Sequence, residues 1–537
     1  MITRFTRWLV FGLVAVGLFT RGSSQARALD DPIQLKSGPI SGATVESNIN
    51  IRVYKGIPYA SPPVDALRWR PPQAVSPWQG VRACEQFSPT ALQVRTPVNQ
   101  IGASSPASED CLYLNVWTGA KTANDKLPVM VWIHGGGWAN GSGSSLGYNG
   151  EAFARKGVLL VSINYRLGPL GFLAHPLLSA ESERGVSGNY AILDQIAALG
   201  WVQDNIASFG GNPENVTIFG ESAGGSSVYV LVATPLTKGL FQKAIAESAW
   251  VSDSNFAHLK QRTAKSDSAE VIGQRAIAAA LGKDRTDVLA AMRDLPAEKA
   301  IKLALPAAAS VDGWLLPQFP REIYRDGSQN HVALIAGTNN GEGVTMVAAN
   351  KTYNSMEEYR QDRVKDLGSS TDDILQHYQV NSVDDIRQAQ IDLISDFWYH
   401  RPARDMARGM ASVQSRAFMY HFTRNAVEPS AQALHAAEIP YVFMRVPEAM
   451  KRLNRDTVDP IDLKLSETIN SYWVQFAKVG DPNVDGQPTW PAYDTQSEQY
   501  LVLGEPIKIG SSLRKDSLDA LDRAIDQRDR EFAGAAK

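Results

Sequence analysis

The sequence predicts an α/β fold with a mainly parallel central sheet, helices on both faces and helical insertions that cap the site. Two observations support this prediction. From Leu112 onward, apolar β-type runs alternate with segments of helical periodicity, which is typical of repeated strand–helix units. Polar side chains and glycines also directly follow several of these runs, and ligands bind beyond the carboxyl ends of the strands in such sheets.

The predicted strands are short apolar runs, and the predicted helices are longer amphipathic segments. The strands are 127–133, 158–163, 216–219, 243–248, 331–336 and 416–422. A helix is predicted at 189–207, where apolar residues recur three and four positions apart, a second directly after Ser222, and a charged third at about 513–533. Residues about 255–325 and 350–412 are helix-rich and lie between strands, so we interpret them as the capping insertions.

Length and composition fit one large globular domain. The 537 residues are 44% hydrophobic and 20% charged, which is ordinary for a soluble enzyme. Length alone would suggest about three or four domains, but no linker, charge block or internal repeat divides the chain. We therefore expect residues 29–537 to form a single domain.

Residues 1–28 have the pattern of a secretory signal peptide. Arg4 and Arg7 precede an apolar run at 8–19, and Ala26 and Ala28 form an Ala-x-Ala cleavage site. The alternative is a membrane anchor, but a run of about a dozen residues is too short to span a bilayer. The sequence therefore predicts export, to the periplasm or the medium, and no membrane span.

Charge argues against a nucleic-acid or anionic-membrane partner. The chain has 53 basic and 56 acidic residues, and removal of residues 1–28 leaves 49 and 56, a net charge of −7. Such a balance does not favour binding to a polyanion.

Residues 220–224, Gly-Glu-Ser-Ala-Gly, directly follow the strand predicted at 216–219. They match Gly-x-Ser-x-Gly at a strand-to-helix turn, the nucleophile elbow of α/β-hydrolases. Side chains at positions 220 and 224 would collide with neighbouring backbone in so sharp a turn, which explains both glycines. Because the pentapeptide also arises by chance, Ser222 is a candidate nucleophile only if suitable partners follow.

His435 and Glu342 are the predicted partners. His435 is the one histidine after Ser222 that lies in a loop following a strand. The other histidines after Ser222 are assigned to polar helices, to the start of a strand, to an insertion or to the core. They are His258, His331, His377, His400 and His421. Glu342 follows the strand at 331–336, which places a carboxylate at the carboxyl edge of the sheet, and the order Ser222, Glu342, His435 is that of α/β-hydrolases.

Other interpretations of these two residues remain open. Glu342 could be a solvated turn glutamate. His435 could bind a metal together with Glu438, but no third ligand stands at suitable spacing.

A glycine run supplies candidate donors for a tetrahedral oxyanion. Residues 134–138, His-Gly-Gly-Gly-Trp, follow the strand at 127–133. Without Cβ atoms, backbone N–H groups can turn toward one point. Gly136 and Gly137 are the predicted donors, with the N–H of Ala223 as the third. The alternative is a flexible turn.

The chain has only two cysteines, Cys84 and Cys111. In an exported protein two cysteines most simply pair, and closing this loop would stabilise the fold by about 3 kcal/mol in chain-entropy terms. The alternative is two free buried thiols. Two cysteines without clustered histidines do not make a zinc site.

Together these residues resemble the type-B carboxylesterase/lipase family, which includes the cholinesterases and secreted bacterial carboxylesterases. The resemblance covers almost the whole mature chain, with further matching motifs at 54–60, 62–63, 67–69, 109–116, 164–168, 209–224 and 480–483. It implies the α/β-hydrolase fold, the triad and oxyanion roles given above, and a disulfide between Cys84 and Cys111. Ser248 resembles a serine that supports the acid, although Glu247 and Ala249 depart from the usual Gln-Ser-Gly.

The resulting prediction is a serine carboxylesterase that hydrolyses a small-molecule ester through an acyl-enzyme, with no metal and no organic cofactor. The segment between the cysteines contains no tryptophan, so a cholinesterase-like cation–π site is not predicted. The alternatives are amide or lactone hydrolysis, a bulky natural or xenobiotic ester such as a mycotoxin, and a lipase. A non-catalytic adhesion protein is disfavoured because Ser222, Glu342 and His435 are all present. Trp138 stands at a position of the oxyanion segment where phenylalanine is common in the family. Its larger side chain either narrows the substrate pocket or only fills space in the core.

Overall fold

The computed structural model describes residues 29, 31–94, 106–347 and 352–535, and within them an eleven-stranded sheet forms the centre of the protein. In chain order, β1 to β11 are Ala43–Val45, Asn48–Pro58, Tyr113–Thr118, Leu127–Ile133, Leu159–Ile163, Gly211–Glu221, Lys243–Glu247, Ala333–Asn339, Ala417–Phe422, Gln499–Leu503 and Lys508–Ser511. Their spatial order is β11-β10-β9-β8-β7-β6-β4-β5-β3-β2-β1. The seven strands from β4 to β10 pair in parallel, and the pairs at the two edges are antiparallel.

Helices and short strands surround this sheet. The α-helices are Glu151–Arg155, Gly168–Phe172, Pro176–Glu181, Tyr190–Asn205, Ala223–Ala233, Ala269–Leu281, Val288–Arg293, Ala297–Ala300, Pro320–Asp326, Glu342–Val347, Met356–Leu367, Thr371–Leu375, Ile386–Ser395, Arg401–Ser412, Ile439–Val442, Val446–Arg452, Pro460–Val479 and Lys515–Ala535. In the part of the chain that the structure describes, 3₁₀ turns lie at Asp65–Leu67, Ile206–Phe209, Pro235–Thr237, Gly368–Ser370, Gln376–Tyr378 and Val383–Asp385, and a π-helical turn lies at Asp396–His400. The peripheral strands are Ile33–Gln34, Pro39–Ser41, Arg82–Ala83, Thr90–Ala91, Ala107–Ser108, Phe256–His258 and Ala309–Val311.

The sheet is covered on both faces, and β4 shows this residue by residue. Val131 and Ile133 pack into one core, while Met130 and Trp132 pack into the other. Successive side chains of a strand point to opposite faces of the sheet. A strand that lies between two cores therefore needs an uninterrupted run of apolar residues. The helix Ala223–Ala233 belongs to the first core and Pro460–Val479 to the second. The predicted fold class, a mainly parallel sheet with helices on both faces, is confirmed.

Element boundaries agree closely with the predictions, with two informative differences. β6 begins at Gly211 rather than at 216, because Gly211 pairs with Leu127 across a register shift. β8 extends to Asn339, three residues beyond the prediction, so Glu342 follows the end of the strand more closely than the sequence indicated. The segment 255–325 is helical but also carries a two-stranded parallel sheet.

The expected disulfide is not formed in the structure. Cys84 and Cys111 are both free and buried. Burial raises the pKa of the Cys84 thiol to about 11 and raises the pKa of the Cys111 thiol well above its usual value. Both sulfurs are therefore neutral thiols in this structure.

The predicted signal peptide, residues 1–28, lies outside the described residues. Among the helices of the described ranges, none combines the length and the apolar composition needed to cross a bilayer.

Candidate active site

Ser222 occupies a strained turn between β6 and the helix Ala223–Ala233. Its φ of 57° and ψ of −121° are unfavourable for a residue with a side chain. Backbone hydrogen bonds hold the turn on both sides, since Ser222 N donates to Glu247 O of β7 at 3.0 Å and Ser226 N donates to Ser222 O at 2.8 Å. The elbow predicted from the pentapeptide is therefore present as a fixed backbone feature.

The two glycines of the pentapeptide approach one backbone carbonyl of β4. A Cβ added at Gly220 would lie 2.5 Å from Ile133 O, and one added at Gly224 would lie 2.0 Å from the same oxygen. Real Cβ atoms do not come so close to backbone, so no larger residue fits at either position without moving the strand. Close packing of β4, β6 and the helix explains both glycines.

His435 and Glu342 are hydrogen-bonded at the carboxyl edge of the sheet. His435 Nδ1 lies 2.6 Å from Glu342 Oε2, and Asn339 N donates to the other oxygen, Oε1, at 2.7 Å. Glu342 has no exposed surface, and the loops that carry the two residues are joined by a bridge between Gly341 and Leu434. The pair predicted from chain order is thus brought together from residues 93 positions apart.

Glu221 links this pair to the elbow. Its Oε1 lies 3.2 Å from His435 Nε2, and its own backbone precedes Ser222 directly. Nε2 of His435 is buried and has no hydrogen-bond partner among the described residues. The imidazole therefore holds one nitrogen on Glu342 and presents the other beside the serine turn.

The glycine run of residues 134–138 lies against the same turn. A Cβ added at Gly135 would be 3.1 Å from Ser222 Cβ. Gly136 and Gly137 have φ of 109° and 63°, conformations that favour glycine. Within the described ranges neither of their N–H groups donates a hydrogen bond to a protein acceptor, and Ala223, as the first helical residue, has no intrahelical acceptor for its N–H. Three backbone donors are thus unused around Ser222.

Four buried glutamates cluster behind the site: Glu221, Glu247, Glu342 and Glu438. Asn339 Nδ2 donates to Glu438 at 2.6 Å, and Trp473 Nε1 donates to Glu247 at 2.7 Å. Ser248 donates to Glu438 at 3.2 Å, and its hydrogen bonding also lowers the pKa of Glu342. The sequence left the role of Ser248 open, and the structure places it between the two carboxyl groups.

Burial and mutual repulsion determine which of these carboxyl groups carry a proton. Burial raises the pKa of Glu221 to about 8, burial and the charge of Glu342 raise that of Glu438 to about 7, and burial raises that of Glu247 well above its usual value. Burial also acts to raise the pKa of Glu342, but His435 and the hydrogen bonds outweigh it, so the net shift is downward. Glu342 is therefore the carboxylate that stays ionised.

The pKa of His435 is raised. Burial alone would lower it, but the carboxylates of Glu221 and Glu342 outweigh burial and raise the pKa to about 10. Groups coupled this strongly titrate together rather than one by one. A proton held by Glu221 removes part of the attraction that charges the imidazole, so His435 can be neutral when Glu221 is neutral.

Sequence reasoning missed two residues close to His435 and left the role of Trp138 open. Glu438, three residues after His435, is predicted only as an alternative metal ligand, whereas it accepts hydrogen bonds from Ser248 and Asn339. Tyr399, whose ring centroid lies 4.9 Å from that of His435, comes from an insertion and had no local signal. Trp138 is fully buried, stacks on Phe172 and donates to Ser227, so it packs in the core.

The sheet order and the serine turn after β6 define the class of the protein: it is an α/β-hydrolase. Residues 30–521 match the family model described as the carboxylesterase family. The chain is 33% identical over 494 residues to the fumonisin B1 esterase of Sphingopyxis macrogoltabida, covering 91% of this chain and 89% of that protein. It is 35% identical over 489 residues to the para-nitrobenzyl esterase of Bacillus subtilis (strain 168), covering 88% of this chain and 94% of that protein.

The fold comparison agrees with the sequence comparison. A solved PNB esterase structure superposes with a TM-score of 0.79 at 31% identity, covering 91% of this chain and 99% of the other. The chain therefore belongs to the carboxylesterase family, and it is a carboxylic ester hydrolase of the serine type, as the sequence predicted.

Proposed function

We propose that Ser222, His435 and Glu342 are the nucleophile, base and acid of this esterase, and that the N–H groups of Gly136, Gly137 and Ala223 form its oxyanion hole. The observation that carries the proposal is the 2.6 Å hydrogen bond from His435 to Glu342, combined with the position of Nε2 on the same ring, which makes no hydrogen bond within the described ranges and lies 3.2 Å from Glu221, the residue before Ser222. This is the arrangement in which an imidazole accepts a proton at one nitrogen while a carboxylate fixes its tautomer at the other.

The reaction follows from these positions. His435 Nε2 accepts the hydroxyl proton as Ser222 Oγ attacks the ester carbonyl carbon, and the three backbone N–H groups stabilise the negative charge on the carbonyl oxygen. Protonated His435 then gives the proton to the departing alcohol, which leaves an acyl-serine. Water attacks that ester with His435 again as base, releasing the acid and the free serine. Glu342 stays ionised and stabilises the imidazolium at each step.

A serine-directed phosphonate tests the assignment of the nucleophile. The reagent should inactivate the enzyme with one equivalent bound, and peptide mapping should place the label on Ser222. The same reagent should fail to label enzyme that has been unfolded, because an ordinary serine hydroxyl is a weak nucleophile. A label on another serine, or inactivation without a label on residues 220–224, would contradict the proposal.

Substitution of Glu221 by glutamine should move the acid limb of the kcat/KM profile to lower pH. The glutamine removes a carboxylate whose attraction raises the pKa of His435. The pKa of the base then falls, its neutral form persists to lower pH, and we expect a shift of about one unit. A pH profile of p-nitrophenyl acetate hydrolysis measures this shift.

Glu214→Gln, at an exposed position on the same strand, is the matched control and should leave the acid limb in place. An acid limb that stays fixed or moves to higher pH in Glu221→Gln would contradict the explanation.

We also propose that residues 1–28 direct export and are removed before Leu29, and that residues 29–537 fold as one domain. The charge distribution and apolar run of the leader support the first proposal. The second is supported by one sheet that uses strands from Ala43 to Ser511. N-terminal sequencing of the protein recovered from the periplasm or medium checks the cleavage site.

A further inference from the structure

Trp138 directly follows Gly137 at the end of the glycine run, and its indole ring is fully buried. The ring stacks on Phe172 with 5.1 Å between ring centroids, and it meets Phe256 edge to face at 6.0 Å. Phenylalanine, which is common at this position in the family, could make the same kind of ring contacts. Core packing alone therefore does not explain a tryptophan here.

The backbone of Trp138 is held in a conformation that is unfavourable for a residue with a side chain. Its φ is 54°, in the left-handed region. Such a conformation persists only where the surrounding contacts impose it. One of these contacts is a backbone hydrogen bond, in which Gly168 N donates to Trp138 O at 2.7 Å. The side chain supplies a second attachment.

The indole N–H of Trp138 makes a hydrogen bond that phenylalanine cannot make. Nε1 donates to Ser227 Oγ at 2.9 Å. Gln195 Nε2 donates to the same oxygen at 2.9 Å, and Ser227 Oγ itself donates to Ala223 O at 2.9 Å. A hydroxyl group has one donor and two acceptor positions, so these three bonds use all of them. Trp138, Gln195 and Ser227 have no exposed surface, so solvent does not compete for the bonds.

The Ser227 hydroxyl joins the two segments that carry the proposed oxyanion donors. Trp138 ends the glycine run of residues 134–138, whereas Ala223 begins the helix after the serine turn. Donors on separate segments stabilise one oxyanion only if they stay directed at one point. A displacement of about 1 Å in such groups can lower the rate about 10²-fold. A buried bond between the two segments is therefore placed where a small movement would be costly.

We propose that Trp138 and Ser227 are positioning residues for ester hydrolysis, and that the hydrogen bond between them fixes the glycine run relative to the nucleophile helix. Neither side chain contacts the substrate in this proposal, since both act through the backbone N–H groups of the oxyanion hole. The inference rests on the proposed oxyanion hole. It assigns to the tryptophan a role that phenylalanine cannot perform.

Trp138→Phe tests the proposal, because it keeps an aromatic ring and removes the donor. We expect kcat and kcat/KM for p-nitrophenyl acetate to fall together by about ten-fold, with KM changed less than about two-fold, because the lost contribution acts in the transition state. Ser227→Ala removes the acceptor and should cause a loss of similar size. The double variant should lose little more than the larger single loss, since both changes remove the same bond.

A trifluoromethyl ketone separates positioning from a general loss of structure. Ser222 Oγ bonds to the ketone carbon, the π electrons of the carbonyl move to its oxygen, and His435 takes the hydroxyl proton. The adduct therefore places an oxyanion against the same N–H groups as the transition state does. Trp138→Phe should weaken binding of the ketone by about ten-fold, the same factor as for kcat/KM. Competitive inhibition by p-nitrophenol, which forms no oxyanion adduct, should stay unchanged.

Trp201→Phe is the matched control. Trp201 is also buried, and its Nε1 makes no hydrogen bond in the part of the chain that the structure describes. The control should leave kcat and ketone binding unchanged. Unchanged kcat and ketone binding in Trp138→Phe, a loss carried by KM alone, or additive losses in the double variant would overturn the proposal. If Trp138→Phe does not fold, Ser227→Ala provides the same test with the tryptophan still in place.

Failure of the proposed oxyanion hole would give a different result. The parent enzyme itself would then bind the trifluoromethyl ketone no more tightly than the unfluorinated ketone, whatever the variants at Trp138 and Ser227 do. Tight binding by the parent enzyme together with equally tight binding by Trp138→Phe would leave the oxyanion hole in place and overturn only the role of Trp138.

Discussion

Ser222→Ala is expected to lower kcat/KM for p-nitrophenyl acetate by about 10⁵-fold or more. Loss of the nucleophile has an effect of this size in serine hydrolases, because the triad residues act as a unit. The substitution removes only the hydroxyl from a turn held by backbone hydrogen bonds to Glu247 O and from Ser226 N. The fold should therefore survive. Purified variant and parent would be compared by active-site titration, initial rates and thermal unfolding.

The control for this variant is a serine-to-alanine change at an exposed position outside the proposed triad. Ser430 is exposed in the loop that precedes His435, and Ser430→Ala should keep full activity. If Ser222→Ala retained more than about one part in a thousand of the parental activity, Ser222 would not be the nucleophile, and the backbone strain at this turn would need another explanation.

Glu342→Gln is expected to lower kcat about 10⁴-fold, the loss typical when the acid of such a triad becomes an amide. Glu342 accepts hydrogen bonds at both oxygens, from Asn339 N and at His435 Nδ1. A glutamine has only one acceptor oxygen. Because Asn339 N can only donate, the amide NH₂ is left facing His435, which then carries its proton at Nε2, the position that must accept the proton from serine.

Glu438→Gln is the matched control for this prediction. The two glutamates are buried in the same cluster, but Glu438 bonds to Ser248 and Asn339 rather than to the imidazole. Its pKa is raised to about 7, so a neutral amide resembles the form it already adopts much of the time. We expect a loss of less than about ten-fold in kcat. Equal losses in the two variants would mean that the charge of the whole cluster matters rather than the bond to His435.

The features that sequence predicted are those for which local pattern and chain order suffice. The turn itself explains the local pattern at 220–224 and the apolar run before it. A Cβ at Gly220 or Gly224 would collide with Ile133 O, so both positions require glycine. The position of Glu342 is predictable because the carboxyl ends of parallel strands lie at one edge of the sheet. The hydrogen bond between Glu342 and His435 agrees with that prediction. The alternation of apolar and helical segments likewise predicted the fold class correctly.

The features that sequence could not predict depend on contacts between distant segments. Tyr399 packs on His435 from a π-helical turn at the end of an insertion, and no local pattern predicts such a turn. The ion pair between Asp253 and Arg528 joins residues 275 positions apart in sequence, and neither has a local motif. The early start of β6 depends on a register shift against Leu127, which a hydrophobic pattern does not encode. The pairing of Cys84 and Cys111, expected from two cysteines in an exported protein and from the family resemblance, is not formed in the structure.

The carbonyl oxygen of Ile133 is approached by both Gly220 and Gly224, at the end of the strand that leads into the glycine run of residues 134–138. One atom of β4 therefore constrains the nucleophile turn and the oxyanion loop together, so neither can drift without the other.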